Sequence, residues 1–394
     1  MLAWTRTWCS GHPFWPFWVF PLVVGAAVAC SEPTGSAAGS DAGAGSGQAQ
    51  TEGCELDQSF LDVGARRDGI PALTGPPLVG ADDGALSFLQ DSDRVVGFVV
   101  EGRAYAVPHN ILWWHEIVNL DVAGRKLAIT LCPLTGSSLG FDRSSIGGDE
   151  LGVSGLLYKA NLIMYNRGTP ESLWPQMLAQ ARCGGEVGMD LARYPIVDVT
   201  WLAWRSMHPN TLVVGAPTTA YSRDYTLYPY GNYSSLENAS SLGFPVPPLD
   251  SRRPPKERVL GLPPVNGASA MAFPSGALND LPGNVAVVNF TWDGERAVLL
   301  WSDIANGGMI FRSRTEDGAP VELETGNGRL ITDRATGSRW TVDGRAVGGE
   351  RTGASLVPIA AAYTAFWSGW SGFFPETELC DQLTASGPPR CSGR

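Results

Sequence analysis

From Arg94 onward the chain is written in short apolar runs separated by glycine, proline and single charges. Arg94-Val-Val-Gly-Phe-Val-Val100, the break Glu101-Gly102-Arg103, and Ala104-Tyr-Ala-Val-Pro108 predict a β-hairpin. Runs of four to eight β-branched and aromatic residues between turn formers fit strands, not helices. Residues 110–116 predict a short helical turn, and 117–121 with 126–131, joined by Val122-Ala-Gly-Arg125, a second hairpin. Further strands are expected at 139–143, 151–154 and 162–166. Residues 200–207 predict a short helix with Trp201 and Trp204 on one face, stopped by His208-Pro209.

This pattern recurs in the second half. Arg94-x-x-Gly97, Gly102 and Ala106-x-Pro108 return as Arg258-x-x-Gly261, Gly267 and Ala272-x-Pro274. Ser172-x-Trp174 returns as Ser338-x-Trp340, and Trp201-x-x-Trp204 with Pro209-x-Thr211 returns as Trp367-x-x-Trp370 with Pro375-x-Thr377. The tryptophan pairs are offset by 166 residues (367 less 201). Ordered matches at a nearly constant offset mark a repeated unit. The expected fold is therefore mainly β (α+β), with two duplicated strand-rich lobes and short helices. The first lobe, with the candidate site, is expected at 58–220, the second at 258–380, a Tyr/Pro-rich interlobe linker at 221–257 and a tail at 381–394. The linker is either an ordered connection or an aromatic flap over a site.

The composition narrows the setting. The chain has 394 residues with only 17% charged, 48 glycines and 29 prolines, which suits a loop-rich exported protein. Its net charge of −11 gives no basic field for a nucleic-acid partner. Arg6, the apolar run Phe14 to Ala29 and the small residues before Cys30 predict a lipoprotein signal at 1–30, followed by a Gly/Ala/Ser-rich tether at 31–57. Cys30 would then be the lipidated residue and the membrane attachment. Ser31 favours the outer membrane by resemblance to bacterial lipoproteins. Five further cysteines follow, an odd number, and export permits disulfides. Cys380 with Cys391, and Cys54 with Cys183, are the expected pairs, leaving Cys132 free.

The candidate chemistry lies between Pro108 and Arg143. His109 and His115 stand here, and Cys132 sits in the turn Leu-Cys-Pro-Leu-Thr-Gly-Ser-Ser. The second lobe has no histidine, with Ser275 near the place of His109, Leu281-Pro282 near that of His115-Glu116, and Val298–Trp301 for the Cys132 strand. The fold can thus be built without the His/Cys set. His115 and Cys132, with Met164 as a thioether, form a soft donor set for copper, or for zinc with another ligand. Cys132 is alternatively a nucleophile with His115 as base and Glu116 or Asn119 as orienter. The plain alternative is a core histidine and an inert buried thiol. No phosphate loop, dinucleotide fingerprint or serine elbow occurs.

Seven motifs carry a resemblance. They are Trp114-His115-Glu116-Ile-Val-Asn119, Cys132-Pro133-Leu134-x-Gly136, Phe141-Asp142-Arg143, Gly152-Val-Ser154-Gly155-Leu-Leu-Tyr158, Asn161-Leu-x-Met164-Tyr165-x-Arg167, Ser172-Leu-Trp174 and Tyr228-Pro-Tyr-Gly-x-Tyr233. Together they resemble the bacterial domain-of-unknown-function family 3179 (DUF3179) over roughly 60–380. The resemblance implies a turn usually reading Cys-Pro-Leu-Cys-Gly, in some members with selenocysteine, hence thiol redox or soft-metal chemistry. Thr135 stands here where the second cysteine would be, so no Cys-x-x-Cys disulfide forms in this turn. The expected function is an exported, lipid-anchored protein holding a soft metal or small ligand at His115/Cys132. The alternatives are a thiol-dependent redox or transfer enzyme using Cys132, and a structural or interaction lipoprotein with a degenerate site.

Overall fold

The computed structural model describes residues 54–217, 223–326, 329–384 and 387–393. The signal segment, Cys30, the tether up to residue 53 and Tyr221 lie outside them. The fold is mostly β, with several sheets and four short α-helices among the described residues.

The hairpins form where two-residue turns permit. Arg94–Val100 pairs with Arg103–Pro108, and Ile117–Val122 with Arg125–Cys132. The turn residues Glu101 and Gly102, like Ala123 and Gly124, have positive φ. Such turns match the right-handed twist of paired strands. Leu151–Tyr158 and Asn161–Asn166 turn through Lys159-Ala160, again at positive φ. The first of these strands runs past Ser154, beyond the 151–154 expected, because Gly155 takes φ +82 and lets the strand continue where a Cβ would strike Ala65.

The sheets do not segregate by half of the chain. A five-stranded sheet holds Val197–Thr200, Arg94–Val100, Arg103–Pro108, Leu212–Val214 and Leu78–Gly80. A ten-stranded sheet runs from Ile117–Val122, Arg125–Cys132 and Ser137–Asp142 into Tyr363–Phe366, Arg258–Leu262, Met271–Pro274 and Glu378–Gln382. Its seam is Ser138 opposite Thr364.

Pairing registers nevertheless correspond. Leu212 lies parallel to Tyr105, and Glu378 parallel to Met271. Thr200 pairs with Arg94, and Phe366 with Arg258. The helices α1 (His109–His115), α2 (Trp201–Met207), α3 (Ser275–Asn279) and α4 (Trp367–Phe373) follow the matching strands. Trp204 in α2 donates Nε1–H to Thr211 Oγ1 at 2.9 Å, and Trp370 in α4 does so to Thr377 Oγ1 at 2.9 Å. A Cβ on Gly97 would lie 2.4 Å from the Trp204 ring, and one on Gly261 2.3 Å from the Trp370 ring. Each half also leans on a turn of the other: Thr200 N donates to Ala305 O at 2.9 Å and Phe366 N to Thr135 O at 2.7 Å.

Disulfides join Cys54 to Cys183 and Cys380 to Cys391. Cys132 is a free, buried thiol.

Candidate functional site

The helix α1 carries the motif Trp114-His115-Glu116 and ends at Glu116, whose φ of 57 and ψ of −32 turn the chain sharply into the Ile117–Val122 strand. Its N–H still donates to Leu112 O, and its C=O accepts from Leu131 N at 2.9 Å, tying the helix end to the strand that carries Cys132. A helix end at positive φ ordinarily takes glycine, because a Cβ is crowded there.

His115 is buried, and both ring nitrogens are engaged. Nδ1 lies 2.8 Å from Pro71 O and Nε2 lies 2.8 Å from the Tyr225 hydroxyl. A carbonyl only accepts, so Nδ1 carries the proton and Nε2 accepts from Tyr225. Burial lowers the His115 pKa and Arg223 pushes it the same way, against the Pro71 carbonyl. His115 is thus a neutral imidazole that fastens the Tyr-rich segment to α1. That segment also meets Trp113 through Tyr228 at 5.0 Å between rings, and Leu134 O through the Tyr233 hydroxyl at 2.8 Å.

Cys132 ends its strand under the 159–160 turn. Its thiol faces Ala160 O at 3.7 Å and accepts from Leu162 N at 3.4 Å. Burial pushes its pKa up, the Glu116 charge adds to this, and hydrogen bonds from Thr135 and Leu162 act the other way without reversing it. A thiol held in this form is a poor nucleophile.

Thr135 belongs to a buried polar network. Asn161 Nδ2 donates to Thr135 Oγ1 at 2.9 Å, and the Thr135 and Ser137 hydroxyls are 2.8 Å apart. Ser137 donates to Gln176 Oε1 at 2.6 Å, and Gln176 Nε2 to Thr130 Oγ1 at 2.8 Å. Ser137 spends its proton on Gln176, so Thr135 donates to Ser137. The Thr135 hydroxyl is therefore both donor and acceptor.

Met164 shares a core cluster with Cys132, packed between Trp174 and Val153 across the strands. The Tyr225 partner of His115 belongs to a different cluster. Among the described residues no group of three or more His, Cys, Asp or Glu side chains gathers in a way that could hold a metal. Asn119 is likewise engaged, bonding Leu73 O and both backbone groups of Leu151.

Glu116 differs from all of these. As a residue it is 5% exposed, no hydrogen bond or ion pair to its carboxyl group is found among the described residues, and its oxygens are not among the fully enclosed unpaired polar atoms, so they open onto accessible space. Desolvation alone pushes its pKa up to about 8. It faces a cavity of about 230 Å³ whose other walls include Ile70, Leu134, Leu156, Leu162, Tyr230 and Phe244. The Tyr230 pKa is raised by burial first and then by the charges of Glu116 and Cys132. The cavity is thus apolar, with one neutral carboxylic acid and one phenol at its polar end.

Glu116 was legible as part of a motif but only as an orienter of His115. The structure sends the His115 ring to Tyr225 and the Glu116 carboxyl into the cavity. The second-half hairpin supplies a comparison. Ile117 lies opposite Thr130 two residues before Cys132, and Val287 opposite Leu300 two residues before Ser302. Counted from the two hairpin turns, Ser302 falls level with Cys132, one residue past the 298–301 expected, and Ala286 level with Glu116, where Leu281-Pro282 was expected.

A mainly β protein with short helices, a sealed thiol and a largely desolvated acid opening onto an apolar cavity is the class that fold and site define. The chain belongs to the family described as Protein of unknown function (DUF3179), whose model matches residues 67–377. No curated protein and no solved structure gives a significant match.

Proposed function

We propose that this is an exported, lipid-anchored binding protein for a small, largely apolar molecule, held in the cavity beside Cys132. The observation that carries the reading is the Glu116 carboxyl, largely removed from solvent, given no hydrogen bond by the described residues, and opening onto that cavity. A buried polar group without a hydrogen bond costs several kcal/mol. A positive φ at a residue other than glycine costs roughly 1–3 kcal/mol more. Two costs at one residue are retained where that residue meets something else. Protonated near neutral pH, Glu116 donates one hydrogen bond and accepts another. It suits a carbonyl, an amide or an amine on an otherwise apolar ligand. The volume lies below the ~300–1,000 Å³ of drug-sized sites, so the ligand is small.

Export, lipidation at Cys30 and residence at the outer membrane are part of the same proposal. They rest on the N-terminal sequence. The two halves are read as duplicated lobes, supported by the matched registers and the paired Gly–Trp contacts. The ligand reading replaces His115 with Glu116 as partner of the Cys132 region, and needs neither metal nor thiol chemistry.

The test is a titration of the full chain with cyclohexanone, benzamide and benzylamine, followed by tyrosine and tryptophan fluorescence. Saturable binding of at least one probe is expected, roughly tenfold weaker in Glu116→Ala and abolished in Ile70→Trp, which fills the cavity. Binding to none of the three, or equal binding in both variants, sinks the proposal.

A further inference from the structure

A second feature lies at the seam between the halves. Arg94 and Arg258 open corresponding strands, but their surroundings differ. Arg94 is saturated: Nε bonds Asp198 Oδ1 at 2.7 Å, Nη2 bonds Asp198 O at 2.7 Å and Nη1 bonds Asn306 O at 2.9 Å. The Arg258 side chain makes no hydrogen bond and no ion pair among the described residues, and its Nη1 is buried without a partner. The face of Phe366 lies 5.3 Å from its Cζ, and the Asp198 carboxylate acts on it without bonding it.

The reason lies one strand away. Asp198 sits opposite Val96, two residues after Arg94, and Thr364 sits opposite Leu260, two residues after Arg258. The second half thus carries threonine where the first carries the carboxylate. Asp198 is already committed, to Arg94 and to the Ser138 hydroxyl at 2.7 Å. His109 is 2% exposed and its Nε2 lies 3.2 Å from Asp198 Oδ1, in a geometry that closes no hydrogen bond. Burial lowers the His109 pKa, against the opposing pull of Asp198. Two guanidinium groups therefore face one carboxylate, and one positive charge is left over. A buried charge without a counter-ion is strongly unfavourable. Arg258 is partly exposed as a residue, and of its guanidinium nitrogens only Nη1 is fully enclosed without a partner, so an ion from solvent can reach the Nε and Nη2 side.

We propose that Arg258 is the anchor of a small oxyanion site, binding a carboxylate or a phosphate-like group in the place that Asp198 fills for Arg94. A planar guanidinium presents parallel N–H donors that match either anion. Arg258, beside Phe366, supplies the charge. This site is independent of the Glu116 cavity. It uses the duplicated-lobe reading only to single out Thr364.

Calorimetric titration of the full chain in detergent with sodium phosphate, and separately with sodium acetate, against chloride at matched ionic strength tests this. One-to-one binding of at least one anion is expected, and which one responds distinguishes a tetrahedral from a planar ligand. Arg258→Gln is expected to weaken it by roughly tenfold or more. Thr364→Asp supplies the missing carboxylate internally. It is expected to raise the melting temperature in chloride and to abolish the anion response. No saturable binding of either anion, or wild-type binding in Arg258→Gln, overturns the site. Loss of binding in Arg258→Gln but not in Thr364→Asp keeps the site and overturns the equivalence of Thr364 with Asp198.

Discussion

At the scale of single residues, Glu116 concentrates the unfavourable terms. Its carboxyl is largely removed from solvent without a hydrogen bond from the described residues, and its backbone takes φ 57. Its pKa is raised from 4.5 to about 8 by desolvation. The sign follows from linkage. Below about pH 4.5 the group is protonated whether the chain is folded or not. As pH rises toward 8 only the unfolded chain ionises, so this contribution to stability is lost across that window. At about 1.4 kcal/mol per pKa unit the loss is on the order of 5 kcal/mol. Glu116→Gln keeps the shape of the protonated acid and cannot ionise. In urea unfolding at a series of pH values, its stability advantage over wild type should grow steadily from pH 4.5 to 8. A constant difference across that range means that Glu116 is solvated in the folded protein.

At the scale of elements, the strand-then-helix units work because a glycine in the strand receives a tryptophan from the helix. Gly97 takes Trp204 and Gly261 takes Trp370. Both rings are fully buried and bond a threonine seven residues on. A methyl group at either glycine has no room, since ring atoms lie 2.3–2.6 Å from its position. Gly97→Ala and Gly261→Ala should each cost roughly 1–3 kcal/mol through overpacking. Chemical denaturation reads both, and the two losses should be similar because the contacts are. A neutral effect at either glycine shows that its tryptophan can slide. The sequence showed these glycines and tryptophans as repeated letters. It could not show that they touch, because the pairs lie more than a hundred positions apart.

At the scale of the whole molecule, the halves are joined rather than strung together. One sheet passes from Ser137–Asp142 of the first half into Tyr363–Phe366 of the second. The disulfides act within this frame by restricting the unfolded chain. Cys54–Cys183 closes a separation of 129 residues and Cys380–Cys391 one of 11. On the chain-entropy relation the first contributes about 5 kcal/mol and the second about 3 kcal/mol. Cys54→Ser with Cys183→Ser should therefore lower the unfolding free energy more than Cys380→Ser with Cys391→Ser, measured by urea denaturation. The reverse order rejects the entropic account for these bridges.

The sequence by itself determined the local elements. Strands, two-residue turns and short helices follow from neighbours in the chain, and the hairpins at 94–108 and 117–132 fell where the apolar runs placed them. The odd cysteine count required one cysteine outside the intramolecular pairs, but which ones pair was an expectation that the structure bears out, with Cys54–Cys183, Cys380–Cys391 and a free Cys132. Only the tertiary structure decided which polar side chains found partners. His115 met a tyrosine 110 positions away. Glu116, next to it, met a cavity. Arg94 found a carboxylate, and Arg258 faced a threonine-bearing strand. Each outcome depends on what distant segments bring to the same place, and desolvation then sets the value of every charge left there.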